Sequence, residues 1–201
     1  MTAERPEHTL SRRQFLIAGA ASAALTQTAT AQTPPPLSVA EPLPRPGEVL
    51  LRLTVNGRGE QLAIDPRLSL LDVLRESLDL TSVKRGCDEG TCGSCTVLLD
   101  GKRVPACLIP AALCHDQAVT TVEGLAVDGE LSAIQTAFVR HQATDCGFCT
   151  PGQVVAAQAI LQEPWGADEE SLASALCGQE CACGRRPQIV AAIQEVRGKR
   201  S

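Results

Sequence analysis

The chain has 201 residues, of which 44% are hydrophobic, so it is long enough for one large or two small domains with a packed core. Aromatic residues make up only 2% and tyrosine is absent, so the core is expected to be aliphatic. A formal net charge of −5 argues against nucleic acid as a partner and provides no attraction to anionic lipid.

The N-terminal segment has the pattern of an export signal. Residues 11–16 read Ser-Arg-Arg-Gln-Phe-Leu, a twin-arginine motif, and a weakly apolar stretch follows at residues 15–25. Residues 29–31, Ala-Thr-Ala, then form a small-x-small cleavage site. The alternative, a membrane anchor, needs about 20 consecutive apolar residues, and this stretch is shorter. We therefore expect residues 1–31 to be removed and the protein to reach the periplasm without stable membrane insertion.

The export route agrees with the high cysteine content. Twin-arginine export carries proteins that have already folded, often around a cofactor. Ten cysteines delivered unfolded to an oxidising compartment would tend to pair as disulfides, so this route favours a cysteine-bound cofactor. Residues 32–47 contain six prolines and predict an extended linker between the signal and the first domain.

Alternating and β-branched stretches predict a small mixed sheet in residues 48–123. The first two strands are joined by the two-residue turn Asn56-Gly57. Ser69 is the predicted N-cap of one short helix with an aliphatic buried face. The predicted strands cover residues 49–55, 61–65, 96–101, 103–107 and 118–122.

Beyond residue 123 the strand pattern stops, and apolar residues recur at helical spacing. Pro151 stands at a first helical position, and acidic residues occupy the first turn after Asp168. The predicted helices cover residues 132–141, 151–161, 168–176 and 188–196. Residues 124–201 are therefore expected to form a small helical bundle, and the whole chain an α+β protein.

The first of two cysteine sets is Cys87-x4-Cys92-x2-Cys95, with Cys107 as a distant fourth thiol. This is the ligand spacing of plant-type [2Fe–2S] ferredoxins. Glycines before and between these cysteines let the backbone curl tightly enough for three thiolates to converge. A zinc site is a weaker alternative because it favours two closely spaced pairs. A disulfide framework is also weaker, because three neighbouring thiols would need three separate partners.

The second set is Cys146-x2-Cys149, completed by Cys181-x-Cys183. Each pair precedes a predicted helix, and the N-terminus of a helix favours bound negative charge. Alone, this spacing is moderately specific. After a plant-type loop, the combination predicts a second iron–sulfur site.

The segments 86–96, 146–152 and 181–183, together with Cys107, resemble the iron–sulfur subunit of the molybdenum hydroxylases, the xanthine dehydrogenase and aldehyde oxidoreductase family. With its twin-arginine signal, the chain is most similar to the small subunit of periplasmic aldehyde oxidoreductases. The resemblance covers about residues 48–196. It implies a β-grasp, plant-type ferredoxin-like domain at residues 48–123, followed by a four-helix bundle domain at residues 124–201.

The resemblance also implies cofactors and partners. The ligands of the two [2Fe–2S] clusters would be Cys87, Cys92, Cys95 and Cys107 for the first, and Cys146, Cys149, Cys181 and Cys183 for the second. Electrons would come from a molybdenum–pterin cofactor in a large partner subunit that oxidises an aldehyde or an N-heterocycle. They would leave through the second and then the first cluster to an FAD-binding subunit or a cytochrome. This chain would contain no catalytic residue, and it lacks the Gly-x-Gly-x-x-Gly loop for binding FAD or NAD itself.

Three positions depart from the family pattern. The family usually has glutamine before the first cysteine of the helical pair, near the pterin, whereas this chain has Asp145. Ala182 replaces the usual arginine, and Gly184-Arg185-Arg186 replaces Thr-Gly-Tyr. The two arginines either place positive charge near the cluster or form a solvated pair at the start of a helix.

The remaining cysteines and histidines fit no functional pattern. Cys114 and Cys177 are expected to be small buried side chains, and His115 and His141 to have surface or core roles. Two other functions stay open at this point. One is a stand-alone exported two-cluster electron carrier, and the other is an exported disulfide-bonded binding protein.

Overall fold

The structure is a computed structural model that describes residues 43–198. The predicted signal at residues 1–31 lies outside the described residues, as does most of the predicted linker at residues 32–47. The described residues belong to one compact unit, residues 41–201.

Five strands form one mixed sheet in the order β2-β1-β5-β3-β4. The β1–β5 pair is parallel, and the other neighbouring pairs are antiparallel. The strands are β1 (Val49–Val55), β2 (Arg58–Ile64), β3 (Thr96–Leu99), β4 (Lys102–Pro105) and β5 (Ala118–Thr120).

The first hairpin turns at Asn56-Gly57 as predicted, but its second strand is longer than the sequence pattern indicated. β2 begins at Arg58 rather than at residue 61, because pairing with β1 continues up to the turn, where Val55 faces Arg58. Register in such a hairpin follows from the turn, so polar residues next to the turn are still paired.

A capping box begins the first helix at Ser69, as predicted. The Ser69 hydroxyl accepts a hydrogen bond from the backbone of Asp72, and the Asp72 carboxylate accepts one from the backbone of Ser69 at 2.8 Å. Only Leu70–Asp72 (α1) is α-helical, and the chain continues as a π-helical turn at Val73–Ser77, which the sequence pattern did not indicate. The side chains buried under the sheet are Leu70, Leu71, Val73 and Leu74.

Four further helices follow the sheet along the chain. They are α2 (Ala133–Arg140), α3 (Thr150–Ile160), α4 (Glu169–Ala175) and α5 (Arg186–Gly198). The first and third of these are capped by the side chains of Ser132 and Asp168. Within residues 43–198, no helix combines the length and the apolar character needed to cross a membrane.

Two apolar cores stabilise the fold, one beneath the sheet and one among the helices. A third, smaller cluster joins them where Leu98 of β3 packs with Val155 and Ala159 of α3. Helix α3 is therefore buried on almost all sides, since it lies between the sheet and the other helices. The α+β class predicted from the sequence is confirmed by this sheet and these helices.

Candidate metal centres

Three cysteines of the first set lie on the loop that leads into β3, Cys107 follows β4, and backbone N–H groups of the loop point at sulfur. Those of Thr91 and Cys92 lie 3.3 Å and 3.4 Å from the Sγ of Cys87. Hydrogen bonds from Thr91 and from the backbone of Glu89 and Cys92 stabilise the thiolate and lower the pKa of Cys87 to about 6. This loop is therefore built to hold a negatively charged sulfur before any metal arrives.

The four thiols of this first quartet form two neighbouring pairs. The Cys87 thiol adjoins that of Cys92, and the Cys95 thiol adjoins that of Cys107. Burial, followed by contact with the Cys107 thiol, raises the pKa of Cys95 to about 12. Cys95 is therefore protonated near neutral pH in the absence of metal, and metal binding there must release a proton.

The second quartet joins two distant segments of the chain. Cys146 and Cys149 precede α3, whereas Cys181 and Cys183 precede α5. The thiols again form two pairs across these segments, Cys149 with Cys181 and Cys146 with Cys183.

The pKa values in the second quartet reflect the same contacts. Burial and the Cys181 thiol raise the pKa of Cys149 to about 12. Burial also raises the pKa of Cys181, but hydrogen bonds from the backbone of Arg185 and Cys183 outweigh it and lower that pKa overall. One thiol of this touching pair is thus favoured as a thiolate, beside a partner that keeps its proton.

The thiol pairs fit a [2Fe–2S] cluster. Within residues 43–198, no group of three or more His, Cys, Asp or Glu side chains is arranged to hold a single metal ion. A [2Fe–2S] cluster has four cysteine ligands, two on each iron, which two adjacent pairs can supply. Gly86 leaves room for the sulfur of the first quartet, because an added Cβ there would lie 2.7 Å from the Sγ of Cys92. The donor set and the space around it therefore fit the group that the sequence predicts.

The two quartets lie next to each other. The backbone N–H of Glu180 donates to the carbonyl of Cys92 at 2.9 Å, which links the first quartet to the residue before Cys181. At Gly152, near the start of α3, an added Cβ would collide with the carbonyl of Gly93, so only glycine allows this approach. A cavity of about 370 Å³ lies between the quartets, lined by Gly86, Cys92, Ser94, Cys146, Phe148, Cys149, Glu180 and Ala182.

Comparisons with known proteins agree with two iron–sulfur centres. The domain family described as a 2Fe-2S iron-sulfur cluster binding domain matches residues 53–121, and the [2Fe-2S] binding domain family matches residues 121–194. The aldehyde oxidoreductase iron-sulfur-binding subunit PaoA of Escherichia coli K12 is 38% identical, over 94% of this chain and 89% of its own length. The chain belongs to the iron–sulfur subunit family of the molybdenum hydroxylases. It is thus a non-catalytic subunit of an aldehyde- or xanthine-type oxidoreductase, and its two matched domains support two [2Fe–2S] clusters.

Another curated relative and two solved structures are also similar to most of this chain. The nicotine 6-hydroxylase small subunit of Paenarthrobacter nicotinovorans is 41% identical, over 78% of this chain and 94% of its own length. The solved quinoline 2-oxidoreductase of Pseudomonas putida superposes with a TM-score of 0.69 at 34% identity, covering 76% of this chain and 98% of the matched chain. The aldehyde oxidoreductase of Desulfovibrio desulfuricans gives a TM-score of 0.67 at 38% identity, and this chain spans 17% of it.

Two of the residues that depart from the family pattern form an ion pair with each other. The Nη2 of Arg185 lies 3.0 Å from the Oδ2 of Asp145, and both residues adjoin the second quartet. Arg186 donates to the backbone carbonyls of Leu176 and Gln179, so it holds the loop before α5. Each arginine therefore has a protein partner, Arg185 beside the second quartet and Arg186 in the loop before α5.

The structure separates the two cysteines outside the quartets. Cys114 is fully buried in the core beneath the sheet, as predicted. Cys177 is exposed, so its prediction as a buried side chain is wrong: it follows α4 and faces a cavity of about 190 Å³ beside Arg103 and Gln179. Of the histidines, His141 has its Nε2 2.7 Å from the Oε2 of Glu195 in α5, and His115 contacts Arg52 at the surface.

Sequence reasoning missed two contacts that arrange the site. One is the Glu180–Cys92 hydrogen bond, which joins backbone atoms and therefore has no side-chain signature. The other is the Asp145–Arg185 pair, for which a signal existed: opposite charges had replaced the family residues beside both halves of one cysteine quartet.

Proposed function

We propose that this chain is the electron-transfer subunit of a periplasmic, molybdenum-dependent oxidoreductase that oxidises an aldehyde or an N-heterocycle. Electrons would come from a molybdenum–pterin cofactor in a large partner subunit and leave to an FAD-binding subunit or a cytochrome. A [2Fe–2S] cluster accepts and releases one electron at a time, which suits such a relay. The observation that carries the proposal is the 2.9 Å hydrogen bond from the backbone of Glu180 to the carbonyl of Cys92, which joins the first quartet to the residue next to Cys181 of the second.

In this proposal the eight paired cysteines are the cluster ligands. Cys87, Cys92, Cys95 and Cys107 belong to a plant-type ferredoxin-like domain of β-grasp fold at residues 48–123. Cys146, Cys149, Cys181 and Cys183 belong to a four-helix bundle domain at residues 124–201. Backbone N–H groups around Cys87 and Cys181 stabilise the negative charge of bound thiolates, and the close approach of Gly152 to Gly93 keeps the two loops together.

The exposure of each quartet supports two separate contact faces. Cys146 and Cys183 are exposed, and Phe148 between the paired cysteines is 47% exposed, so the second quartet can face the large subunit. Beside the first quartet, Leu108 follows Cys107 and is 53% exposed, which offers an apolar surface to the electron acceptor.

Substrate class and location rest on different observations. Relatives named aldehyde oxidoreductase, nicotine 6-hydroxylase and quinoline 2-oxidoreductase support an aldehyde or N-heterocycle as the substrate of the complex. The twin-arginine motif at residues 11–16 supports export to the periplasm after the clusters are inserted.

The variant Cys149→Ser tests the relay. Loss of one of the two ligands on one iron is expected to abolish turnover of the complex with its acceptor. The EPR signal of the first cluster is expected to persist, because its four cysteine ligands come from a different part of the chain than those of the second cluster. Cys177→Ser, which changes an exposed cysteine outside both quartets, is the matched control and should leave both signals unchanged. Loss of both signals in Cys149→Ser would contradict independent sites.

Metal content and complex size test the proposal against its alternatives. The native protein should contain about four irons and four labile sulfides, as two [2Fe–2S] clusters require. It should also elute with a molybdenum-containing partner in size-exclusion chromatography. A lone chain carrying both clusters would favour the stand-alone carrier, and a colourless, iron-free protein would favour the disulfide-bonded binding protein.

A further inference from the structure

The ion pair between Asp145 and Arg185 joins the two chain segments that supply the second quartet. Asp145 directly precedes Cys146, and Arg185 follows Cys183 by two residues. Their side chains meet at 3.0 Å, with 51% of the Asp145 side chain and 34% of the Arg185 side chain exposed. A positive charge and a negative charge are therefore fixed beside the same four thiols.

A second observation concerns the other end of the same guanidinium group. The Nε of Arg185 is buried and has no hydrogen-bond partner among the described residues. A buried N–H of a charged group that lacks an acceptor is costly, so a missing acceptor is expected next to it. The backbone N–H of the preceding residue, Gly184, donates to the carbonyl of Cys181 at 3.3 Å, which places Arg185 against the quartet.

We propose that Arg185, oriented by Asp145, donates a hydrogen bond from Nε to the iron–sulfur group held by the second quartet and sets its reduction potential. The inference deepens the proposed function and rests on it. Sulfur atoms of the bound group are the acceptors that the quartet would bring to this position. Hydrogen bonds to cluster sulfurs and nearby positive charge raise the potential, and a nearby carboxylate lowers it.

The competing interpretation is a simple surface ion pair. Exposed pairs contribute little to stability and are screened by salt, and such a pair beside the quartet would act on the cluster only through its two charges. The two interpretations differ for Arg185→Lys, which keeps the positive charge: a simple ion pair predicts an unchanged potential of the second cluster, whereas the proposal predicts a fall.

The test is an EPR-monitored redox titration of the intact native complex and of three variants. Arg185→Gln removes the charge and the Nε donor and leaves Asp145 uncompensated, so the potential of the second cluster should fall. Asp145→Asn removes the negative charge but can still accept from Arg185, so that potential should rise. Arg185→Lys keeps the charge without the Nε donor and should give a smaller fall. The signal of the second cluster is assigned as the one that Cys149→Ser removes.

Arg140→Gln is the matched control, because Arg140 also pairs with a carboxylate, Glu195, but on the helices away from the quartet. It should leave both potentials unchanged, and the first cluster should be unchanged in every variant. If Arg185→Gln fails to assemble the second cluster, Asp145→Asn and Arg185→Lys, which keep the positive charge, still test the proposal.

An unchanged potential of the second cluster in Arg185→Lys, with both signals present, would overturn this inference alone. An absence of both signals from the wild-type complex would instead overturn the proposed function.

Discussion

At the scale of single residues, charged side chains hold the loop of the first quartet against the sheet domain. Arg85 forms ion pairs with Asp72 and with Asp88, the latter at 2.6 Å. Asp72 is also part of the capping box with Ser69 at the start of α1. One carboxylate therefore stabilises both a helix terminus and the loop that carries three of the first four cysteines.

Replacing Asp72 by asparagine tests this double role. Burial raises the pKa of Asp72, but hydrogen bonds from Ser69 and the nearby Arg85 outweigh it and hold that pKa below its usual range. Because the folded pKa is the lower one, the stabilisation is present above about pH 4 and is lost only as the pH falls through the folded value. Asp72→Asn is expected to lower the free energy of unfolding by about 1 kcal/mol, measured by urea unfolding.

The pH dependence and a control sharpen that measurement. The difference between wild type and Asp72→Asn should stay constant between about pH 6 and pH 8, since the carboxylate is ionised throughout. Asp79→Asn changes an exposed aspartate whose positive φ asparagine tolerates, and it should change stability by less than about 0.5 kcal/mol. A difference that varies across this pH range would contradict the assigned role of Asp72.

Residue-level prediction from the sequence is most specific where spacing carries the information. The spacing of the eight cysteines predicts two quartets of ligands, and this assignment stays a prediction. Cys177 was predicted wrongly because the usual burial of cysteine is an average over proteins. The exposure of a particular cysteine depends on which helices pack around it, and the turn after α4 leaves this one uncovered.

At the scale of elements, Arg103 of β4 joins the sheet to two helices. Its Nη1 donates to the carbonyl of Ala175 in α4 at 2.6 Å, and its Nη2 pairs with Glu163, just after α3, at 3.0 Å. Its side chain is only 23% exposed. The contact therefore holds the end of α3 and the end of α4 against the edge of the sheet.

Replacing Arg103 by methionine keeps the length of the side chain and removes both hydrogen bonds. It leaves the Ala175 carbonyl and the Glu163 carboxylate without this donor, so the free energy of unfolding should fall by about 2 kcal/mol. Arg67→Met is the matched control, because Arg67 pairs with Asp65 but is 88% exposed, and its loss should cost less than about 0.5 kcal/mol. Equal effects of the two substitutions in urea unfolding would show that Arg103 does not join the elements.

Element types could be predicted from the sequence, but several boundaries could not. Helix starts at Ser69, Ser132 and Asp168 carry side-chain caps, which are visible in the sequence. The π-helical turn at Val73–Ser77 and the early start of β2 depend on packing and pairing rather than on local residue preference, so no local pattern indicated them.

At the scale of the whole molecule, the two quartets lie where the sheet and the helices meet. The hydrogen bond from Glu180 to Cys92 and the contact of Gly152 with Gly93 both cross this boundary. Neither could be predicted, because each joins segments that are distant in the sequence through backbone atoms alone. The apolar cores, in contrast, lie on either side of the boundary and consist of aliphatic residues with a clear pattern.

Removal of iron should therefore make the cysteine loops at the boundary between the sheet and the helices more mobile. The two apolar cores should stay folded. The cysteine loops at residues 84–92 and 177–185 contain mostly partly buried or exposed residues, so metal binding is expected to supply much of their order. Hydrogen exchange of protein depleted of iron by a chelator under reducing conditions should become faster in these loops. Exchange in β1 and in α5, whose side chains build the two cores, should stay slow.

The same experiment includes internal controls and outcomes that would contradict the prediction. Protection of β1 reports on the core beneath the sheet, and protection of α5 reports on the core among the helices, so each domain has an internal reference. Uniformly fast exchange would mean that the cores depend on iron, and unchanged exchange in the loops would mean that the thiol pairs and backbone contacts order them without it. Faster exchange confined to the loops would show that the metal completes the junction between two domains that each fold around their own apolar core.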